Sequence, residues 1–268
     1  MIQTYDISQL RPYINWPYFF FAWQVKDSSE KERLRQEAEA FLDTLEGKYH
    51  AHALFLLLDA HSDGDDIMVA GNKRIPMLRQ QEVGSGYRSM ADYVAPLKSR
   101  GSTSLTSKIG LFATSVDMGL ETDFAADAYQ KMMAQLLADR LAEAAAEVLH
   151  EQVRKHLWGY APDENLSIAD MLIEKFQGIR PAVGYPSLPD TSLNFVLDDL
   201  LDMKQIGIRL TESGAMKPHA SVSGLMLAHP EARYFSIGKI GEDQFLDYAQ
   251  RKGRSPEEMR PFLLRNLQ

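Results

Sequence analysis

Residues 123–157 read DFAADAYQKMMAQLLADRLAEAAAEVLHEQVRKHL. Apolar side chains recur at Phe124, Ala128, Met132, Leu136, Leu141, Ala145, Val148, Val153 and Leu157, the spacing of one helical face. The pattern predicts a single helix of roughly 50 Å, a structural spine. Around it the strand-like segments fall into separate groups: 52–58, 67–70 and 109–114 before the spine, 207–212, 220–227 and 233–240 after it. The last group reads as antiparallel. There is no regular β-α-β alternation, so the fold class is α+β.

The rest of the chain fits around that spine. Residues 12–23, PYINWPYFFFAW, carry many rings and two prolines and read as an irregular arm that something else must cover. Ser29 with Glu32 makes a capping-box pattern for a helix to about Leu45, with Leu34, Ala38, Phe41, Leu42 and Leu45 on one face. The Asp/Gly-rich stretch 59–66 reads as a loop, and 87–97 as a short helix. Ser167 caps a helix to Phe176, and another helix covers about 191–204. The chain closes with helices near 242–251 and 256–264, the second opened by Ser255-Pro256 with Glu258. No repeat or linker interrupts the pattern, so residues 1–268 read as one domain that includes an aromatic N-terminal arm of about 1–25.

Composition narrows the function. The 268 residues are 45% hydrophobic, enough for a sizeable core. Acidic residues number 37 against 29 basic ones, and a net charge of −8 argues against nucleic acid as a partner. With no cysteine, disulfides, thiolate metal sites and cysteine nucleophiles are excluded. No stretch reads as a secretory signal or a membrane span, so a cytoplasmic location is expected.

Several motifs dissolve on inspection. Asp59-Ala60-His61-Ser62-Asp63-Gly64 fits the D-x-H-x-x-G of cobalamin-binding domains, but Ile67–Ala70 continues as strand where that pattern needs a helix. His150-Glu151 with Arg154 lacks the second histidine of H-E-x-x-H, and His50 and His52 have no carboxylate nearby in sequence, so no metal site is expected. Gly84-Ser85-Gly86 follows a polar stretch and is no nucleotide fingerprint. Two features carry more. In Gly178–Asp190, GIRPAVGYPSLPD, three prolines stiffen the backbone and leave carbonyls as acceptors. Gly184 permits close approach, and Arg180 offers a fork for a carboxylate. This describes a small-molecule cradle or a rigid connector equally well. Asp139, Glu143, Glu147 and Glu151 form an acidic stripe at i, i+4. Glu147 and Glu151 read as a solvated face, while Asp139 and Glu143, flanking Arg140, suit a site or a docking role.

RPAVGYPSLPD is similar to the R-P-A-P-G-Y-P-A-C-P signature of the activation domain of cobalamin-dependent methionine synthase. YINWPYFFFAW, residues 137–167, LTESGAMKPHASVSG, HPEARYFSIGKI and DYAQRKGRSPEEM agree with that domain in the same order. The resemblance covers nearly the whole chain. It implies one α+β unit with a bent antiparallel sheet that binds S-adenosylmethionine (AdoMet). It also implies a partner holding cobalamin, whose inert cob(II)alamin form is remethylated with a methyl from AdoMet and an electron from flavodoxin or a similar reductase.

Residue by residue, the resemblance implies AdoMet contacts at Asn15, Arg180, Ala182, Gly184, Tyr234 and Phe235, with Glu174 as a further acidic position. It implies Tyr185, Asp139 and Glu143 toward the cobalamin. Asn15 stands where the family has aspartate, which predicts weaker binding of the ligand ammonium or a substitute acid nearby. Lys217 and His219 replace a tryptophan and a glycine, and Leu225 and Met226 replace aromatics, as if the rim were recut for another partner. Lacking zinc-binding cysteines and a cobalamin domain, the chain is expected to act in trans as a component of the synthase system. The alternatives are a module serving another corrinoid methyltransferase, or an adaptor that has lost the ligand.

Overall fold

His50 to Asp63 form one 14-residue strand around which the sheet is assembled. The computed structural model describes residues 1–84, 86–96 and 107–268. In chain order the elements are β1 (Ile2–Asp6), α1 (Ile7–Leu10), α2 (Trp16–Ala22), α3 (Ser28–Leu45), β2 (His50–Asp63), β3 (Asp66–Val69), β4 (Lys73–Pro76) and β5 (Ser107–Val116). There follow α4 (Gly119–Thr122), α5 (Ala128–Gln152), α6 (Ile168–Leu172), α7 (Leu193–Leu201), β6 (Arg209–Leu210), β7 (Met216–Lys217), β8 (Ser221–Met226), α8 (Glu242–Arg251) and α9 (Pro256–Leu263).

The main sheet is antiparallel, in the order β4-β3-β2-β5-β8, with β1 also on β2. β1 pairs with residues 50–54 of β2 and β3 with residues 60–63, so the two lie end to end along one edge of the long strand. Side chains alternate between the faces. Ala51, Ala53, Phe55, Phe112, Val222 and Met226 belong to one core, with α5 and the N-terminal helices. Leu54, Ala60, Ile109, Leu111, Ala113 and Leu225 belong to the other, with α7, α8 and α9. Coverage on both faces explains why β2 and β5 read as near-continuous apolar runs. The molecule is α+β, built on a curled antiparallel sheet and a long helix.

Several expectations are corrected. The arm is partly helical, because Pro17 sits in the first turn of α2, where its missing amide costs nothing. Its rings are covered only in part: Phe19 is fully buried, Trp16 meets Phe19 edge-on at 5.5 Å and Trp23 packs on Tyr129 at 5.4 Å, while Tyr18 and Phe21 are exposed. Asp27, rather than Ser29, caps α3. Residues 59–63 are strand, with the turn confined to Gly64-Asp65, so the D-x-H-x-x-G spelling lies in a β-ladder.

The spine is shorter than its pattern. Asp127 caps α5, accepting from the Gln130 amide at 2.8 Å, and residues 153–157 form a π-helical turn. Met132 is exposed, whereas Met133, Leu137, Leu141 and Leu149 are buried. A stripe read at steps of four drifts by about 40° per step off a 3.6-residue helix, which is why Ala128 and Met132 miss the core. Residues 233–240 form no strand, since their backbone groups bond to the 178–190 segment and to Gln80. The helix expected at 87–97 is a 3-10 turn at Met90–Tyr93. Leu97, and Ser85 of the Gly84-Ser85-Gly86 stretch, lie outside the described residues. No helix among the described residues is long and apolar enough to cross a membrane.

Candidate functional site

The 178–190 loop runs antiparallel along the outer edge of β8. Ile179 and Leu227 exchange backbone hydrogen bonds of 2.9 Å each. The Val183 amide donates to the Ser223 carbonyl at 2.9 Å, and the Leu225 amide to the Pro181 carbonyl at 3.0 Å. Gly178 (φ 82°) turns the chain into this path, and a Cβ there would lie 2.5 Å from the Leu227 carbonyl oxygen. Gly224 lets Pro181 approach, since a Cβ there would collide with the Pro181 carbonyl oxygen. Beyond Ala182 the chain folds back, with the Gly184 amide (φ 90°) donating to the Leu188 carbonyl at 2.8 Å. The cradle's carbonyls are therefore engaged rather than free as expected: those of Ile179, Pro181, Ala182 and Pro186 already accept amides.

This loop, α5 and the arm enclose a cleft of about 580 Å³. Asn15, Glu143, Glu174, Arg180, Ala182, Tyr185, Tyr234 and Phe235 line it, as do Tyr13, Tyr18, Arg140 and Glu147, which sequence reasoning did not place there. Asn15 is the N-cap residue of α2, and Glu174 follows α6 with a left-handed φ of 60°. Two expected residues lie elsewhere. Gly184 shapes the turn without lining the cleft. Asp139 faces a second cleft, of about 360 Å³, with Glu121, Lys217 and His219. Asp139 is one turn of α5 away from Glu143, beside residues 217–220 of the second cleft.

Arg180 is the charged centre of the larger cleft. Its Nη2 pairs with the Glu147 carboxylate, its Nη1 lies 3.3 Å from His150 Nδ1, and its amide donates to the Tyr234 hydroxyl at 3.0 Å. Burial works against the Arg180 charge, but Glu147, Tyr234 and Glu143 more than offset it and raise its pKa. Burial lifts the Glu147 carboxyl above its ordinary range despite Arg180. The Tyr185 hydroxyl donates to Glu143 at 2.8 Å, and burial, then Glu143, pushes its pKa up. Burial also raises the Asp139 carboxyl. Two oxygens stand out: Asn15 Oδ1 and Glu147 Oε2 are buried with no hydrogen-bond partner among the described residues. The cleft thus offers a buried guanidinium at Arg180, buried acceptors and aromatic walls, a set of groups for a small zwitterion with an apolar body.

Glu147 was expected on a solvated face, but its side chain is 12% exposed. The only signal for it was the i+4 spacing of the acidic stripe, which Glu151 shares; Glu151 is partly buried too and accepts from the Tyr13 hydroxyl at 3.0 Å. Nearby sequence also misleads about His50 and His52. Asp117 lies 3.0 Å from His52 Nε2, and both Asp6 and Asp117 approach His50. These pairs join elements distant in sequence and form no group of three metal ligands among the described residues.

The chain matches the model of the vitamin B12 dependent methionine synthase activation domain over residues 6–253. It is also similar to the MetH reactivation domain, known from a crystal structure bound to AdoHcy. The two are 38% identical with a TM-score of 0.91, over 100% of this chain and 90% of the other. This chain belongs to the family of activation domains of vitamin B12-dependent methionine synthase.

Proposed function

We propose that this protein binds AdoMet in the larger cleft and presents its methyl group to a cobalamin held by a separate cobalamin-binding unit. In this reading it is a cytoplasmic component of methionine synthase reactivation, with the electron coming from a flavodoxin-like reductase. Residues 1–268 act as one unit, supported by two cores that share the same strands.

The observation that carries the reading is convergence. Eight of the ten residues implied by resemblance, from Asn15 to Phe235, line one cleft of about 580 Å³. The likeness to a domain bound to AdoHcy supports it.

Bound AdoMet supplies a methyl whose C–S bond breaks with the electron pair left on sulfur, so that AdoHcy remains. Arg180 holds the ligand carboxylate. The faces of Tyr234 and Phe235 suit the adenosine and the sulfonium, since a cation prefers ring faces and carbonyls to amide donors. Tyr185, half exposed and anchored by Glu143, stands at the mouth, where the methyl acceptor arrives. Asp139 acts from the neighbouring cleft, on the same helix edge. In that cleft Lys217 bonds Glu121 at 2.9 Å and the His219 amide also donates to Glu121. Because both residues depart from the family pattern, a corrinoid partner other than the usual synthase is the second reading.

Calorimetric titration with AdoMet tests the proposal. Saturable binding is expected, weakened at least about tenfold in Arg180→Ala through loss of a charge-assisted bond. No binding by the unmodified protein would sink the reading in favour of an adaptor.

A further inference from the structure

Within the proposed AdoMet site, Arg180 does not stand alone. Glu147 already neutralises it across Oε1, and the pair is almost buried, each side chain 12% exposed. A purely anionic ligand would meet a guanidinium whose charge is largely spent. The other oxygen, Glu147 Oε2, is buried, unpartnered and part of a residue lining the cleft. An orphaned carboxylate oxygen in such a place is costly and asks for a donor.

The second orphan in the cleft, Asn15 Oδ1, is a neutral acceptor. It stands where a charge is expected in the family, so the cleft needs its anion from elsewhere. The other carboxylates lining it are differently placed: Glu143 is engaged by the Tyr185 hydroxyl, and Glu174 sits past the end of α6. In the turn after α5, Arg154 is fully buried and pairs with Glu164 at 2.7 Å; its charge acts on Glu147 through space, without a hydrogen bond to it.

We infer that Glu147 is the anionic anchor for the α-ammonium of the bound ligand, with Asn15 as its neutral second acceptor. The Glu147–Arg180 pair is then a preformed receptor for a zwitterionic amino-acid head group. The ligand carboxylate lies on Arg180 and its ammonium on Glu147 Oε2, so four charges alternate and no net charge is buried. The site selects ligands carrying both groups over those carrying one. This rests on the AdoMet reading above and deepens it.

Calorimetry with two ligands separates the possibilities: AdoMet, and its deamino analogue, which keeps the carboxylate and sulfonium but lacks the amine. The unmodified protein is expected to prefer AdoMet by at least about tenfold, the value of one charge-assisted bond. Glu147→Gln should erase that preference by weakening AdoMet. The analogue should bind the variant as tightly as before or more tightly, because Arg180 is no longer neutralised. Equal weakening of both ligands would overturn the inference and leave Glu147 as a support for Arg180. So would equal binding of both by the unmodified protein. If the unmodified protein binds neither, the AdoMet reading itself falls. If Glu147→Gln does not fold by circular dichroism, Glu147→Asp replaces it; drawing the charge back by one methylene must weaken AdoMet and spare the analogue.

Discussion

His150 is wholly buried between two arginines and is uncharged for a physical reason. Burial, then Arg180 and Arg154, push its pKa well below 6.5. Arg180 can only donate, so His150 Nδ1 accepts and the proton sits on Nε2, which reaches the Tyr160 hydroxyl at 3.1 Å. The unfolded chain takes up this proton near pH 6.5 and the folded chain does not. The stabilisation is therefore fully present above that pH and is lost as pH falls below it, by up to about 1.4 kcal/mol per unit. Thermal unfolding between pH 8 and 5 should fall less steeply below pH 6.5 in His150→Asn than in the unmodified protein. Because Asn keeps an acceptor near the Nδ1 position, this variant should also retain the proposed AdoMet affinity, while His150→Leu loses it. The sequence marked His150 only as part of an incomplete H-E-x-x-H pattern. Its partners Tyr160 and Arg180 are brought together by the turn after α5 and by the loop on β8, and no local spacing encodes that.

Elements were legible where one local signal dominated. The helix 256–263 carries its own cap, with the Ser255 amide and hydroxyl exchanging bonds with Glu258 at 2.8 and 3.3 Å, so its start is legible in the sequence. Residues 233–240 read as a strand because aromatic and β-branched residues are frequent there, but such a composition does not name a partner. The neighbouring edge of β8 was taken by the 178–190 loop, which then captured 235 and 237 as well. The entry to that loop depends on Gly178. Replacing it by alanine forces a side chain into left-handed backbone and against the Leu227 carbonyl, and should cost about 3 kcal/mol in urea unfolding. The proposed ligand affinity should fall with it, because Arg180 lies two residues on.

At the scale of the molecule, the far end of the loop is tied to the C-terminal helices. Asp190 and Lys252 meet at 3.1 Å with side chains 1% and 3% exposed, and the Tyr248 hydroxyl donates to Asp190 at 2.8 Å. Lys252→Met removes one charge of a buried pair and should destabilise the fold by about 3 kcal/mol. The double variant with Asp190→Asn should recover most of that loss in the same denaturant titration, since no uncompensated charge remains. The sequence alone determined the α+β class, the long helix, the family, and eight of the residues that line the cleft. Those rest on periodicity, caps and long motifs, all local in the chain. Tertiary structure alone decided that Glu147 is buried on Arg180 and that the loop's carbonyls are engaged. It also decided that Asp139 faces a second cleft and that Glu147, with a buried and unpartnered oxygen, lines the same cleft as Asn15. Each of these depends on which face of α5 meets the loop on β8, and a one-dimensional pattern cannot say which of several similar carboxylates a distant arginine will reach.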